Sequence, residues 1–204
     1  MDSRFKGKDR DSQKEIWHLI HQSQRGDEEA FEKLIRLRRE PIYWLAFQML
    51  ADEDEAKEIA QLAFIKLWKV LKKFKEVESF DSWLRRLVTN LCLDELRKRK
   101  KERKAISLNM VAEISSLKEP AAEEVLYFKE LQRIFNQIAN KLAPKQRAAF
   151  VLIDINGLST AEVSKIMSCS SSTVRSHLML ARRFLRQQIE NHYPEYVKDI
   201  KREK

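Results

Sequence analysis

Apolar residues recur along this chain at helical spacing almost throughout. From Glu15 to about Lys104 they fall three and four residues apart, with breaks near Gly26, Pro41, Ala51 to Glu53 and Lys75 to Phe80. That pattern predicts four helices. From about Ala105 to Ala122 the periodicity fades, and Pro120 stands near the end of the stretch, which reads as a linker. Helical patterning returns from Glu123 to His192, with breaks at Pro144, Gly157 and Ser168 to Ser170, and predicts four more helices. The expectation is an all-α protein of two small helical domains, 13–104 and 123–192, joined by a flexible linker over 105–122. The first dozen or so residues and the tail from Tyr193 are polar or charged and are expected to be loose.

Within the segment Glu53 to Phe74, residues Ala56, Ile59, Ala60, Ala63, Leu67, Val70, Leu71 and Phe74 fall in one sector at 100° per residue. This is the expected core face. The opposite sector holds Asp54, Glu58, Gln61 and Lys69, yet also Leu62 and Ile65, with Trp68 on its edge. Apolar residues inside a charged face have two readings. They are scattered surface hydrophobics, or they are anchors of a docking surface inside a polar rim. Composition leaves both open.

In Asp81 to Arg103, Leu84, Leu87, Val88, Leu91, Cys92 and Leu96 form the inward sector. Trp83, Arg86, Thr89, Asn90, Leu93, Asp94 and Arg97 form the outward one. The helix then runs into Arg97 to Lys104, seven cations in eight positions. A helix dipole attracts cations only over its last turn. Phosphate binding explains a longer run better, because each neutralised phosphate releases counterions. Arg97, Lys98 and Lys101 belong to this basic rail. Asn90 can hydrogen-bond a base edge and Trp83 can stack on an unpaired base, so the face suits single-stranded or opened DNA.

The segment Leu158 to Leu185 has helix-turn-helix spacing. Ser159 is an N-cap with Glu162 three residues on, a capping box. Val163, Ile166 and Met167 face inward, Ser168 and Cys169 make the turn, and Ser170 caps a second helix whose Val174, Leu178 and Ala181 face back. The start of that helix presents Ser171, Ser172, Thr173, Arg175, Ser176 and His177, with Arg182 and Arg183 following. Small hydroxyls and an arginine there can approach phosphates and major-groove base edges.

Composition narrows the chemistry. With 3 glycines and 4 prolines the chain lacks the turn residues of a sheet-rich fold. The glycines stand alone, so no phosphate-cradling loop can be built. Cys92 and Cys169 lack metal spacing, and no metal or cofactor is expected. A formal charge of +9 and a pI near 9.5 point to a polyanionic partner. No apolar run reaches spanning length, and the N-terminus lacks a signal-peptide core, so a cytoplasmic protein without membrane insertion is expected.

In this order the pieces resemble the extracytoplasmic-function sigma factors, the minimal two-domain class. The resemblance runs from about Ile16 to Ile189. "RGDEEAFEKLI" resembles the family's opening helix and "DEDEAKEIAQLAFIKLWKVLKKF" its polymerase-binding helix. "FDSWLRRLVTNLCLDELRKRKK" resembles its −10 recognition helix, and the stretch from "LAPKQR" to "ARRFLR" its −35 domain. The resemblance implies a transcription-initiation factor without catalysis, which brings RNA polymerase core to promoter DNA under control of an anti-sigma factor. It implies that Asp54, Glu58, Gln61, Leu62, Ile65 and Trp68 dock on polymerase. It implies that Lys75, Trp83, Arg86, Asn90, Asp94, Arg97, Lys98 and Lys101 lie at the −10 element, with the loop Lys75 to Ser79 capturing a flipped base. It implies that Ser171 to His177 and Arg182 read the −35 element. Ser164, Ser168 and Ser172 replace the family's usual Ala, Gly and Gly, so an adjusted turn is expected, because Ser accepts positive φ less readily than Gly. Ala148 replaces the acidic residue that usually follows the "PKQR" arginine.

An extended linker of about 18 residues reaches about 60 Å, enough for the two domains to sit on separated DNA elements. Two other classes compete. A repressor or activator acting without polymerase would dimerise and bind duplex DNA unaided. A nucleic-acid enzyme would carry a carboxylate or metal cluster beside the basic face.

Overall fold

The computed structural model describes the backbone of residues 10–75, 79–106 and 134–194, and the side-chain surroundings of 14–75, 79–99 and 134–194. Among these residues there is no strand. The first half comprises α1 (Arg10–Gln24), α2 (Glu28–Leu50), α3 (Glu53–Leu71) and α4 (Phe80–Ile106). The second half has a helical stretch at 134–139, then α5 (Pro144–Phe150), a π-helical turn (Val151–Ile155), α6 (Thr160–Ile166) and α7 (Ser171–His192). The stretch expected to be a linker lies outside the described residues, except that α4 continues through its first two positions. The N-terminus expected to be loose is helical from Arg10 onward; residues 1–9 lie outside the described ones.

Local chemistry explains where the helices start. Asp27 accepts from Ala30 N at 3.0 Å and opens α2, and Asp52 accepts from Glu55 N at 3.0 Å and opens α3. Three acidic residues follow in the first turn of α3, where the helix dipole favours them. The last carbonyls of α3 are met from α1: Gln24 Nε2 donates to Leu71 O at 3.0 Å and, just beyond the helix, to Phe74 O at 2.8 Å.

Pro41 does not break α2, contrary to the expectation from sequence. A proline inside a helix leaves the carbonyl four residues earlier without its N–H donor. Here that carbonyl is Leu37 O, and Arg38 Nη1 donates to it at 3.3 Å.

In the first half α2 packs on α1, α3 and α4. Ile20, Leu34, Leu45, Met49, Leu67 and Leu84 are fully buried. Each contributes about 1.5–3 kcal/mol by leaving water. Val70 departs from the expected core face: it is 41% exposed, and Phe64 fills the core instead. The sector was too broad, and Val70 lies beyond the edge that α2 covers.

The core does not stop at the half. It runs on without a gap through Ala148, Ala149, Val151, Leu152, Val163, Ile166 and Val174. A smaller cluster of Ile134, Ile138, Leu142, Ala181 and Leu185 closes the far end of the second half. Helices α5 and α6 lie against α4, and the π turn lies against α2.

Candidate functional site

Three surfaces carry the residues singled out by sequence. The first is the outer face of α3. Asp54, Glu58 and Gln61 are exposed there. Leu62, Ile65 and Trp68 are 38%, 53% and 41% exposed. The fold thus brings all six together on one side of one helix. Trp68 is held in place by Phe31 of α2, ring centroids 4.6 Å apart. Lys57 pairs with Asp54 at 3.3 Å and Glu53 at 3.8 Å, which forms part of the polar rim. A row of large apolar groups within charged residues, backed by a rigid core, can bury against a partner.

The second surface is the outer side of α4. Asn90, Asp94, Arg97 and Lys98 are exposed along it, and Arg97 pairs with Asp94 at 2.7 Å. Lys75 is exposed just before the helix; residues 76–78 and the side chain of Lys101 lie outside the described residues. Arg86 is half-buried. Trp83 is half-buried too, with its ring 5.2 Å from Phe74 and 6.4 Å from Phe80. An aromatic group of this kind holds Trp83 at the end of the bundle, beside Lys75. Asp81 anchors the helix start, accepting from Arg38 Nε at 2.6 Å and Nη2 at 3.3 Å.

Two residues expected on this outer side are buried: Thr89 completely and Leu93 nearly so. The outward sector drawn from sequence assumed one buried face. In the folded chain α4 is covered from two directions, by α2 and α3 and by α5 and α6.

The third surface is the start of α7. The capping box is present: Ser159 Oγ accepts from Glu162 N at 3.2 Å, and Ser159 N donates to Glu162 Oε2 at 2.8 Å. Ser170 Oγ caps α7, accepting from Thr173 N at 3.1 Å. Val174, Leu178 and Ala181 point inward as expected. Ser172, Thr173, Arg175, Ser176 and Arg182 are exposed, and Ser171 and His177 are half-buried. The hydroxyls engage locally. Ser170 Oγ lies 2.7 Å from Ser172 Oγ and 2.8 Å from Thr173 Oγ1, and Ser176 Oγ donates to Ser172 O at 3.1 Å. Burial, then the cation of Lys145, lowers the His177 pKa.

The turn between α6 and α7 keeps the conformation that a glycine would favour, rather than adjusting. Ser168 has φ 50. Cys169 N donates to Ser164 O at 3.1 Å and Ser168 N to Lys165 O at 3.4 Å. These are the two crossed bonds that close a helix with a left-handed residue.

Two arginine environments are not legible from residue spacing. Arg182 donates from Nε and Nη2 to both oxygens of Asp154, at 2.8 and 2.5 Å, which raises its pKa. Asp154 reaches it from the π turn. Arg147, the arginine of "PKQR", is 1% exposed. It donates from Nη2 and Nε to Gln48 O at 3.1 and 3.3 Å, and from Nη1 to Asn140 Oδ1 at 2.8 Å.

Comparison with known proteins places both halves. Residues 34–102 match the model of Sigma-70 region 2, and residues 132–185 match that of Sigma-70, region 4. The chain is 31% identical over 179 residues to the ECF RNA polymerase sigma factor SigW of Bacillus subtilis (strain 168), covering 84% of this chain and 95% of that protein. It is 29% identical over 170 residues to the ECF RNA polymerase sigma-E factor of Escherichia coli (strain K12), covering 80% and 88%. Its fold is similar to that of CnrH, solved with the cytosolic domain of CnrY (TM-score 0.62, 18% identity, 87% of this chain and 99% of that one). It is also similar to the sigma factor RpoE, solved with the anti-sigma factor NepR from Bartonella quintana (TM-score 0.59, 22% identity, 78% and 96%).

Proposed function

The chain belongs to the ECF RNA polymerase sigma factors, and on that premise we propose how its surfaces divide the task of promoter recognition. As a sigma factor it directs core RNA polymerase to promoters and promotes initiation, while the polymerase performs the chemistry. In our reading, Asp54, Glu58, Gln61, Leu62, Ile65 and Trp68 dock on the polymerase. The rail of Lys75, Trp83, Arg86, Asn90, Asp94, Arg97, Lys98 and Lys101 receives the −10 element. Stabilising the opened strand there offsets the cost of unpairing. The start of α7, from Ser171 to His177, with Arg182, receives the −35 duplex. The domains that carry these roles are 13–104 and 123–192.

The observation that carries the docking assignment is the exposure of Leu62, Ile65 and Trp68 within a charged rim on α3. Desolvating them against polymerase gains the apolar energy that the folded chain leaves unused. An anti-sigma factor is the proposed controlling partner, supported by the complex in which RpoE was solved. The site of action is the cytoplasm, where polymerase and chromosome meet.

The test is transcription with sigma-free core polymerase on promoters of the host. Wild-type chain should give start-site-specific transcripts. Leu62→Asp with Ile65→Asp should lower affinity for core at least tenfold, about 1.4 kcal/mol, with helicity retained by circular dichroism. Unchanged affinity in a direct binding assay removes the docking assignment.

A further inference from the structure

Helix α1 carries a second stripe beside its core face. Ile16, Leu19, Ile20 and Ser23 are buried. Trp17, His21 and Gln24 follow one another at i, i+4 and i+7, which places them on one line of the helix. α1 packs chiefly on α2, yet this line reaches past it to the end of α3. The Trp17 ring stacks on Phe74, with centroids 5.8 Å apart and planes inclined by 17°. Gln24 Nε2 donates to both Leu71 O and Phe74 O, at 3.0 and 2.8 Å. An amide oxygen can only accept, so His21 Nδ1 donates to Gln24 Oε1 at 3.3 Å and turns the N–H side of the amide toward those carbonyls.

Phe74 is the hub of what lies beyond. Besides Trp17 it meets Phe80 edge-on at 5.8 Å and Trp83 at 5.2 Å, both from the start of α4. Phe74 is thus held from α1 by its backbone and by its ring, and the face against which Trp83 leans is held with it. Lys75, next in the chain, takes its position from Phe74. The start of α4 is fixed separately, by Arg38 of α2 donating to both oxygens of Asp81.

We propose that Trp17, His21 and Gln24 are positioning residues for −10 recognition, which fix Trp83 and Lys75 through Phe74. The proposal rests on the assignment of Trp83 and Lys75 to the −10 element made above. A ring that receives an unstacked base gains most when its orientation is settled beforehand, because ordering it on binding costs part of the affinity. Phe74 sets that orientation, and α1 sets Phe74. Discrimination among −10 bases therefore depends on a helix whose residues belong to none of the three surfaces described above.

The kind of contact distinguishes this stripe from ordinary helix packing. Adhesion of α1 to the bundle is supplied by Ile16, Leu19 and Ile20, and apolar burial is non-directional. Hydrogen bonds are directional. One amide aimed at two carbonyls, and oriented in turn by a histidine, fixes where the backbone of Phe74 lies rather than merely holding it close.

The test compares transcription by the full chain with core polymerase on a host promoter and on the same promoter substituted at each −10 and −35 position in turn. Trp17→Leu removes the stacked ring, Trp17→Phe keeps one, and Gln24→Glu keeps the shape but replaces the donor with a group that only accepts. Trp17→Leu and Gln24→Glu should keep their affinity for core polymerase and their −35 preference. Both should lose −10 discrimination by about fivefold, the scale of one aromatic pair, and Trp17→Phe should retain it. Unchanged −10 discrimination in Trp17→Leu and Gln24→Glu overturns the proposal. So does an equal loss of core affinity and −35 preference, which would mark α1 as structural support alone. Circular dichroism follows folding, and if Trp17→Leu does not fold, Gln24→Glu decides. Trp83→Leu separates premise from inference. If it leaves −10 discrimination intact, the −10 assignment falls and the proposal with it; if it abolishes discrimination while the α1 variants do not reduce it, the proposal alone falls.

Discussion

Arg175 and Arg182 lie seven positions apart on the same helix and meet different surroundings. Arg182 is braced by both oxygens of Asp154, which fixes the plane of its guanidinium before DNA arrives. Arg175 is exposed at the end where a recognition helix meets base edges. Arg175→Ala should weaken binding to a −35 duplex by about 1–3 kcal/mol and relax preference at one base pair. Titration against matched and mismatched duplexes checks this, and an equal loss on all sequences would make it a phosphate contact. His177 gives a pH signature. Burial and Lys145 hold it below its ordinary value of 6.5, so between that lowered value and 6.5 the unfolded chain binds more protons than the folded one. Stability is therefore undiminished above pH 6.5 and falls as the pH drops through that window. His177→Gln should flatten the fall, as read from urea midpoints at pH 7.5 and 5.5.

At the scale of elements, ends and turns were the most legible features. Ser159, Glu162 and Ser170 signal their caps by residue type and spacing alone, and each makes the expected bond. Ser168 is different: the sequence shows a serine where a glycine would suit, but only the folded turn shows that it keeps φ 50. A side chain in that region costs about 1–2 kcal/mol. Ser168→Gly should therefore stabilise the chain by about 1 kcal/mol, less some added entropy of the unfolded state, as measured by chemical denaturation. A destabilised variant would mean that the serine side chain supports the turn. Pro41 misled for a related reason. The rule that proline ends helices assumes an abandoned carbonyl, and Arg38 supplies that carbonyl with a donor.

At the scale of the molecule, the two halves share one core. A continuous core should melt as a unit, so heating the wild-type chain should give one transition whose calorimetric and van't Hoff enthalpies agree. Arg147→Ala withdraws the donors to Gln48 O and Asn140 Oδ1. Hydrogen bonds from a charged group contribute about 1.5–3 kcal/mol each, and part of that is regained when the opened carbonyl meets water. The variant should split the transition in two, with the second half melting first. A single transition at an unchanged temperature would show that apolar packing alone couples the halves. Burial, and secondarily the neighbouring Arg99, lower the pKa of Arg147 to about 10, so it stays charged at neutral pH, and its hydrogen bonds to Gln48 O and Asn140 Oδ1 offset part of the cost of hiding a cation.

Most of the helices, their caps, the helix-turn-helix spacing and the exposed row Leu62, Ile65 and Trp68 are legible from residue order, because each follows from residues a few positions apart whose geometry one helix enforces; the continuity of α2 through Pro41 is not. Long-range packing buries Thr89 and Leu93, exposes Val70, brings Asp154 to brace Arg182, and carries Arg147 to the end of α2. Those facts depend on which elements pack together across long stretches of chain. An amphipathic pattern records that a side is covered but not by what, and an arginine reads as surface until a partner carbonyl arrives from the other half.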